Sequence, residues 1–121
     1  MIVLINPNST ASMTQAMLRT ARQTVPTADF EGWTSHDAPP AIQGYADGLL
    51  AEKPLLQLVK QASDQNASAI IIACFDDTGL AAARSIANCP VIGIGQAAYH
   101  LAAVAGGRFS VVTTLDVSVP I

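Results

Sequence analysis

Charge is scarce in this chain: six Lys and Arg and nine Asp and Glu make up 12% of 121 residues, for a formal net charge of −3. So few cations cannot neutralise a run of phosphates, which excludes a basic nucleic-acid binder. The apolar half of the composition excludes a disordered chain. Cysteine is rarer still. Cys74 and Cys89 make no disulfide framework, and without a CxxC pair or a Cys/His cluster no metal site is expected. No apolar run approaches the roughly 18 residues of a membrane span. The opening residues 1–5 lack the basic segment of a signal peptide and stop at Asn6-Pro7-Asn8, so they read as the first strand of a cytoplasmic protein. The length supports one core but not two complete domains.

What is present centres on Ala69-Ile70-Ile71-Ile72-Ala73-Cys74-Phe75-Asp76-Asp77-Thr78-Gly79. An unalternating Ile-rich run bounded by turn residues predicts a strand buried on both faces, as in parallel sheets. Cys74 then falls at the carboxyl end of that strand, where open α/β sheets place their ligands. Asp76-Asp77-Thr78 offers capping chemistry for a helix over residues 80–87. That would put the thiol near the positive end of a helix dipole, a setting that favours thiolate. Without such a context a lone cysteine after an apolar run is a packed structural residue, which is how Cys89 reads.

Around this stretch strand and helix patterns alternate. A helix is predicted over 11–25, capped by Ser9 or Thr10, with Met13, Met17, Leu18, Ala21 and Val25 on its apolar face. Residues 27–34 alternate loosely (Ala28, Phe30, Trp33) and predict a second strand near an edge. The Pro-, Gly- and Asp-rich stretch 35–48 has the length of a functional loop. A helix over 49–65 follows, with Pro54 in its first turn and Leu55, Leu56, Val59 and Ala62 facing inward. Residues 89–95 predict a fourth strand, 96–105 a fourth helix stopped by Gly106-Gly107, and 108–113 a fifth strand. Residues 116–121 look like the opening of a further helix. The alternation implies an α/β fold, an open parallel sheet with right-handed crossovers and helices on both faces, flavodoxin-like or Rossmann-like. In this reading residues 1–94 form a first domain, 95–121 open a second that is incomplete, and the chain is a truncated fragment.

Loops after the first, third and fifth strands of such a sheet converge on one edge. They carry Asn8 and Ser9, Phe75 to Thr78, and Thr113 with Thr114. Removing a proton next to a carbonyl needs a base on one face and hydrogen-bond donors at the oxygens that gain charge. Cys74 is the candidate base and these loops are the candidate donors. Each has a plainer reading: Asn8-Ser9-Thr10 as a helix cap, Asp76 and Asp77 as cap residues, Thr113-Thr114 as a strand end. His36 reads as solvated in a polar loop, and His100, beside Tyr99, as a surface or interface residue. Gly93 and Gly95 lack the third glycine and the downstream acid of a dinucleotide fingerprint.

Ile5-Asn6-Pro7-Asn8-Ser9-Thr10, Ala73-Cys74-Phe75-Asp76-Asp77-Thr78-Gly79, Pro90-Val91-Ile92-Gly93-Ile94-Gly95 and Gly107-Arg108-Phe109-Ser110-Val111-Val112-Thr113-Thr114 occur in this order and span the chain. Together they resemble hydantoin racemases, of the aspartate/glutamate racemase superfamily. The resemblance implies one half of a two-domain racemase fold whose similar α/β halves enclose the site. It implies inversion of a 5-substituted hydantoin without cofactor or metal: one thiolate removes the C5 proton and a second thiol returns one to the opposite face. By position Cys74 is the first of these cysteines, and the second would come from a C-terminal half that this sequence does not contain. Substrate contacts are implied at Asn8, Ser9, Phe75, Asp77, Thr78, Thr113 and Thr114. The partner is then a small molecule, with no nucleic acid and no membrane.

Allantoin racemase is the neighbouring alternative; Phe75-Asp76-Asp77-Thr78 looks more like the hydantoin branch. Arylmalonate decarboxylase is a weaker one. A reading of another class is an inactive α/β module that only self-assembles. Faces meant for a missing half would expose apolar surface, which predicts a homo-oligomer, with exchange of residues 108–114 between chains as one route.

Overall fold

The computed structural model describes residues 1–119. The last two residues of the expected terminal helix, 120 and 121, lie outside the described residues. Strand β1 (Ile2–Asn6), helix α1 (Ala11–Thr24), β2 (Phe30–Thr34), α2 (Tyr45–Asp64), β3 (Ala69–Ile72), α3 (Leu80–Ile86), β4 (Val91–Gly93) and α4 (Ile94–Gly106) follow one another, and Asp116–Ser118 makes one 3-10 turn. The strands form one sheet in the order β2-β1-β3-β4, parallel throughout. Leu4 pairs with Gly32 on one side and Ile71 on the other. As expected, β2 is an edge.

The two-residue period of the strands divides the packing. Val3, Ile5, Ile70, Ile72 and Val91 face a core completed by Leu55, Val59 and Ala62 of α2 and Leu80 and Ala83 of α3. Helix α1 takes the other face, over β1 and β2. Gly32 permits this approach: a Cβ there would stand 3.2 Å from both Leu18 Cδ2 and Thr14 Cγ2.

Several local expectations are corrected. Helix α1 turns Thr14 and Leu18 inward and leaves Met13 and Val25 exposed. Thr14 is drawn in by polar partners on the sheet, since its hydroxyl lies 2.7 Å from that of Thr34 and accepts from Asn6 Nδ2 at 3.1 Å. β3 is buried on one face only: Ile70 and Ile72 are enclosed, Ile71 is half-buried, and its neighbour Ile92 is 44% exposed. Helix α2 begins four residues early, after Gly44 at φ +88°, so Pro54 is interior. The Asp47 carboxylate favours that start by accepting the Gln43 N–H at 2.9 Å. Pro54 leaves the Leu50 carbonyl without its helical donor, at a position open to water.

Ile94 and Gly95 belong to α4 and not to the fourth strand. Residues 108–113 form no strand: among the described residues no ladder includes them, and Val112 is 93% exposed. A strand exists only through a hydrogen-bonded partner. Here Gly107 (φ +70°) turns the chain out of α4, and Phe109 stacks on Tyr99 at 5.8 Å instead. No helix among the described residues is long and apolar enough to cross a membrane.

Candidate active site

The parallel arrangement brings the carboxyl ends of β1 and β3 side by side. Past the last ladder pair, the Ala73 N–H still donates to the Ile5 carbonyl at 2.8 Å, and Ser35 N–H to that of Asn6 at 3.0 Å. Cys74 follows immediately, half-buried against the rim of the core. Its sulfur lies 3.5 Å from the Thr78 hydroxyl, within hydrogen-bonding range for sulfur. The loop closes on itself, with Asp77 N–H donating to the Cys74 carbonyl at 3.1 Å and Leu80 N–H to that of Asp77 at 3.0 Å. Asp77 adopts φ +51°, and Gly79 (φ +65°) is the residue preceding α3. Helix α3 therefore receives no side-chain cap from Asp76, Asp77 or Thr78, contrary to expectation. Asp77 instead accepts from Gly95 and Gln96 at the start of α4.

The loop after β1 is organised by Asn6, which is wholly buried. Its amide donates to Asn8 Oδ1 (2.8 Å), the Thr10 carbonyl (3.2 Å) and Thr14 Oγ1 (3.1 Å), and its oxygen accepts the Asn8 N–H (3.1 Å). Asn8 Oδ1 also accepts from Thr10 N–H at 3.0 Å. Among the described residues Asn8 Nδ2 has only the weak acceptor Met13 Sδ at 3.6 Å, which leaves donor capacity for a ligand. Ser9 spends its N–H on the Pro39 carbonyl (3.0 Å), and the Thr10 hydroxyl donates to Pro40 O (2.7 Å). Neither hydroxyl caps α1, as had been expected of one of them.

A cleft of about 300 Å³ opens beside the thiol, lined by Asn8, Cys74, Phe75, Thr113 and Thr114. Met13, Ile42, Gln43 and Asp76 also line it. Residues 42 and 43 come from the long loop 35–48, in which His36 was the side chain weighed for a chemical role and neither of these two was. Thr78 reaches the sulfur without lining the cleft, and Ser9 and Asp77 do not line it either. Phe75 also borders a second hollow of about 590 Å³ with Tyr99, Val111 and Val112, and meets Tyr99 edge-on at 5.3 Å. His36 and His100 are exposed and line neither space. Cys89 precedes β4 and packs on the core at the amino ends of the strands, at least about 13 Å of sheet from the edge carrying Cys74. Among the described residues no three His, Cys, Asp or Glu side chains gather as metal ligands.

A half-buried thiol beside amide and hydroxyl donors can exchange a proton with a carbon acid held in the cleft. The model of the Asp/Glu/Hydantoin racemase family matches residues 2–121. The chain belongs to this family. It is 48% identical to the hydantoin racemase of Rhizobium meliloti, over 99% of this chain and 50% of that protein. With the hydantoin racemase of Paenarthrobacter aurescens it shares 35% identity, over 94% of this chain and 49% of the relative. The solved allantoin racemase from Klebsiella pneumoniae superposes with a TM-score of 0.94 at 37% identity, covering 98% of this chain and 49% of that one. For the allantoin racemase from Pseudomonas fluorescens the TM-score is 0.91 at 33% identity, over 98% and 51%. This Asp/Glu/hydantoin racemase chain thus spans about half the length of the curated relatives it matches. Its open parallel sheet superposes on about half of each solved allantoin racemase chain.

Proposed function

We propose that Cys74 is one of two acid/base thiols in the cofactor-independent racemisation of 5-substituted hydantoins at C5. The observation that carries this reading is the cleft itself, where the Cys74 thiol stands with Asn8, Phe75, Thr113 and Thr114. The C5 hydrogen of a hydantoin is acidic because the resulting carbanion delocalises onto the adjacent carbonyl oxygen. Cys74 thiolate takes that proton, and the Thr78 hydroxyl donates toward the sulfur while it is charged. Asn8 Nδ2 donates to ring oxygens as they gain charge. The N–H groups of Phe75 and Asp76, which no described group engages, do the same. A thiol on the opposite ring face, from the remainder of a full-length racemase, gives its proton to C5, so one thiol and one thiolate exchange states in each turnover. In this reading residues 1–94 are the first α/β half and 95–121 lead into the second. Thiols that must stay reduced suit the cytoplasm.

The hydantoin assignment follows the 48% identical relative, and the exposed face of Phe75 suits an apolar C5 substituent. Allantoin, a hydantoin with a polar C5 substituent, is the second reading, favoured by the two allantoin racemase structures. Proton exchange at C5, followed by NMR in deuterated water with reductant for each enantiomer separately, tests the mechanism against Cys74→Ala. Exchange of one enantiomer without inversion is the expected result. Wild-type exchange no faster than in Cys74→Ala would leave an inactive module. A panel in which allantoin outpaces benzyl- and isobutyl-hydantoin would transfer the assignment to the second substrate.

A further inference from the structure

We infer that Asp77 is a positioning residue that clamps the Cys74 loop to helix α4, and that it does not contact substrate; this rests on Cys74 as the acid/base thiol. Both carboxylate oxygens are taken: Oδ1 accepts the Gly95 N–H at 3.0 Å and Oδ2 the Gln96 N–H at 2.6 Å. These amides lie in the first turn of α4, where the helix supplies no acceptor of its own and a negative charge also meets the positive end of the dipole.

The backbone of the same residue holds the thiol's own residue, since Asp77 N–H donates to the Cys74 carbonyl. To do both, Asp77 sits at φ +51°, a left-handed conformation uncommon for a residue with a Cβ and tolerated best by Asn and Asp. The opposing wall is shaped to fit. A Cβ at Gly93 would overlap Asp77 Oδ1 and lie 2.8 Å from Leu80 Cδ2. A Cβ at Gly95 would overlap the Phe75 carbonyl oxygen and lie 2.9 Å from Asp77 Oδ2. Two glycines therefore stand where the Cys74 loop comes closest, and the loop and α4 form one locked unit.

Asp77→Ala and Asp77→Asn test the clamp in the intact chain, by amide hydrogen exchange at Gly95 and Gln96, Cys74 alkylation by iodoacetamide, and kcat and KM for C5 proton exchange. Loss of charge-assisted bonds in Asp77→Ala should speed exchange of both amides by about 10- to 100-fold. Misplacement of the thiol should lower kcat by about 10- to 100-fold with KM nearly unchanged. Asp77→Asn, which keeps one acceptor oxygen, should fall between Ala and wild type in both readouts, and it serves alone if the Ala variant does not fold. Alkylation of Cys74 should quicken several-fold as the loop loosens. A rise in KM at constant kcat would make Asp77 a substrate ligand and overturn the proposal, as would unchanged amide exchange. If wild type exchanges C5 no faster than Cys74→Ala, the racemase reading fails, and amide exchange with alkylation still decides for or against the clamp.

Discussion

The Phe75 carbonyl oxygen lies so close to the Cα of Gly95 that a Cβ there would overlap it. Gly95 is helical, so replacement by Ala would by propensity alone stabilise α4 by about 1 kcal/mol. The obstacle is backbone, which cannot rotate aside as a side chain can, and overpacking of this kind costs about 1–3 kcal/mol. Gly95→Ala should therefore be net destabilising, by up to about 2 kcal/mol in urea unfolding. Gly48→Ala is the opposite case: it lies within α2 with nothing within 4 Å of the added methyl. That change should stabilise by about 0.5–1 kcal/mol.

Asn6 holds the β1–α1 loop through four hydrogen bonds from a fully buried position. Asn6→Ala leaves the Asn8 N–H and the Thr14 hydroxyl short of partners and opens a small void. The expected cost is about 2–3 kcal/mol by denaturant titration. C5 exchange should fall with it even where the protein remains folded, because Asn8 Oδ1 loses one of the two donors that orient its amide.

Thr78→Val keeps the shape beside Cys74 and removes the only hydroxyl within hydrogen-bond range of its sulfur among the described residues. A donor to thiolate favours the reactive form. Alkylation of Cys74 at neutral pH should slow by about five- to tenfold, on the scale of one ordinary hydrogen bond. Thr78→Ser should react close to the wild-type rate. Equal rates in Val and Ser would mean that the contact has no chemical consequence.

The parts of this molecule legible in the sequence are those decided locally or by topology. Val3, Ile5, Ile70 and Ile72 are apolar enough to declare buried strands, and Leu55, Val59 and Ala62 carry a clear helical period. Once the strands are parallel, Asn8 and Cys74 must emerge at one sheet edge, so their meeting was deducible without coordinates. What escaped depends on partners distant in sequence. Nothing near Asp77 signals that its carboxylate caps a helix eighteen residues later, and Gly93-Ile94-Gly95 looked like a failed nucleotide motif because the group it accommodates belongs to another loop. Thr14 turns inward only because Asn6 and Thr34 wait there. The segment 108–113 has strand composition, yet β identity lies in the partner, and none stands beside it among the described residues.

The same segment leads to the last expectation. Leu101 and Val104, one turn apart on α4, are 71% and 88% exposed, and Val111, Val112, Val117 and Val119 continue the apolar surface along the chain that follows. Apolar surface on this scale is rarely left to water in a soluble monomer. Its removal from water, at about 25 cal/mol per Å², favours association of two copies through α4 and residues 108–119. The sedimentation coefficient of the chain should therefore rise with loading concentration. Val104→Glu and Val112→Glu, which place charges on that surface without touching Cys74, Asn8 or the core, should hold the chain at the monomer value. A wild-type chain that sediments as a compact monomer at every concentration would show that these side chains fold back on their own protomer instead.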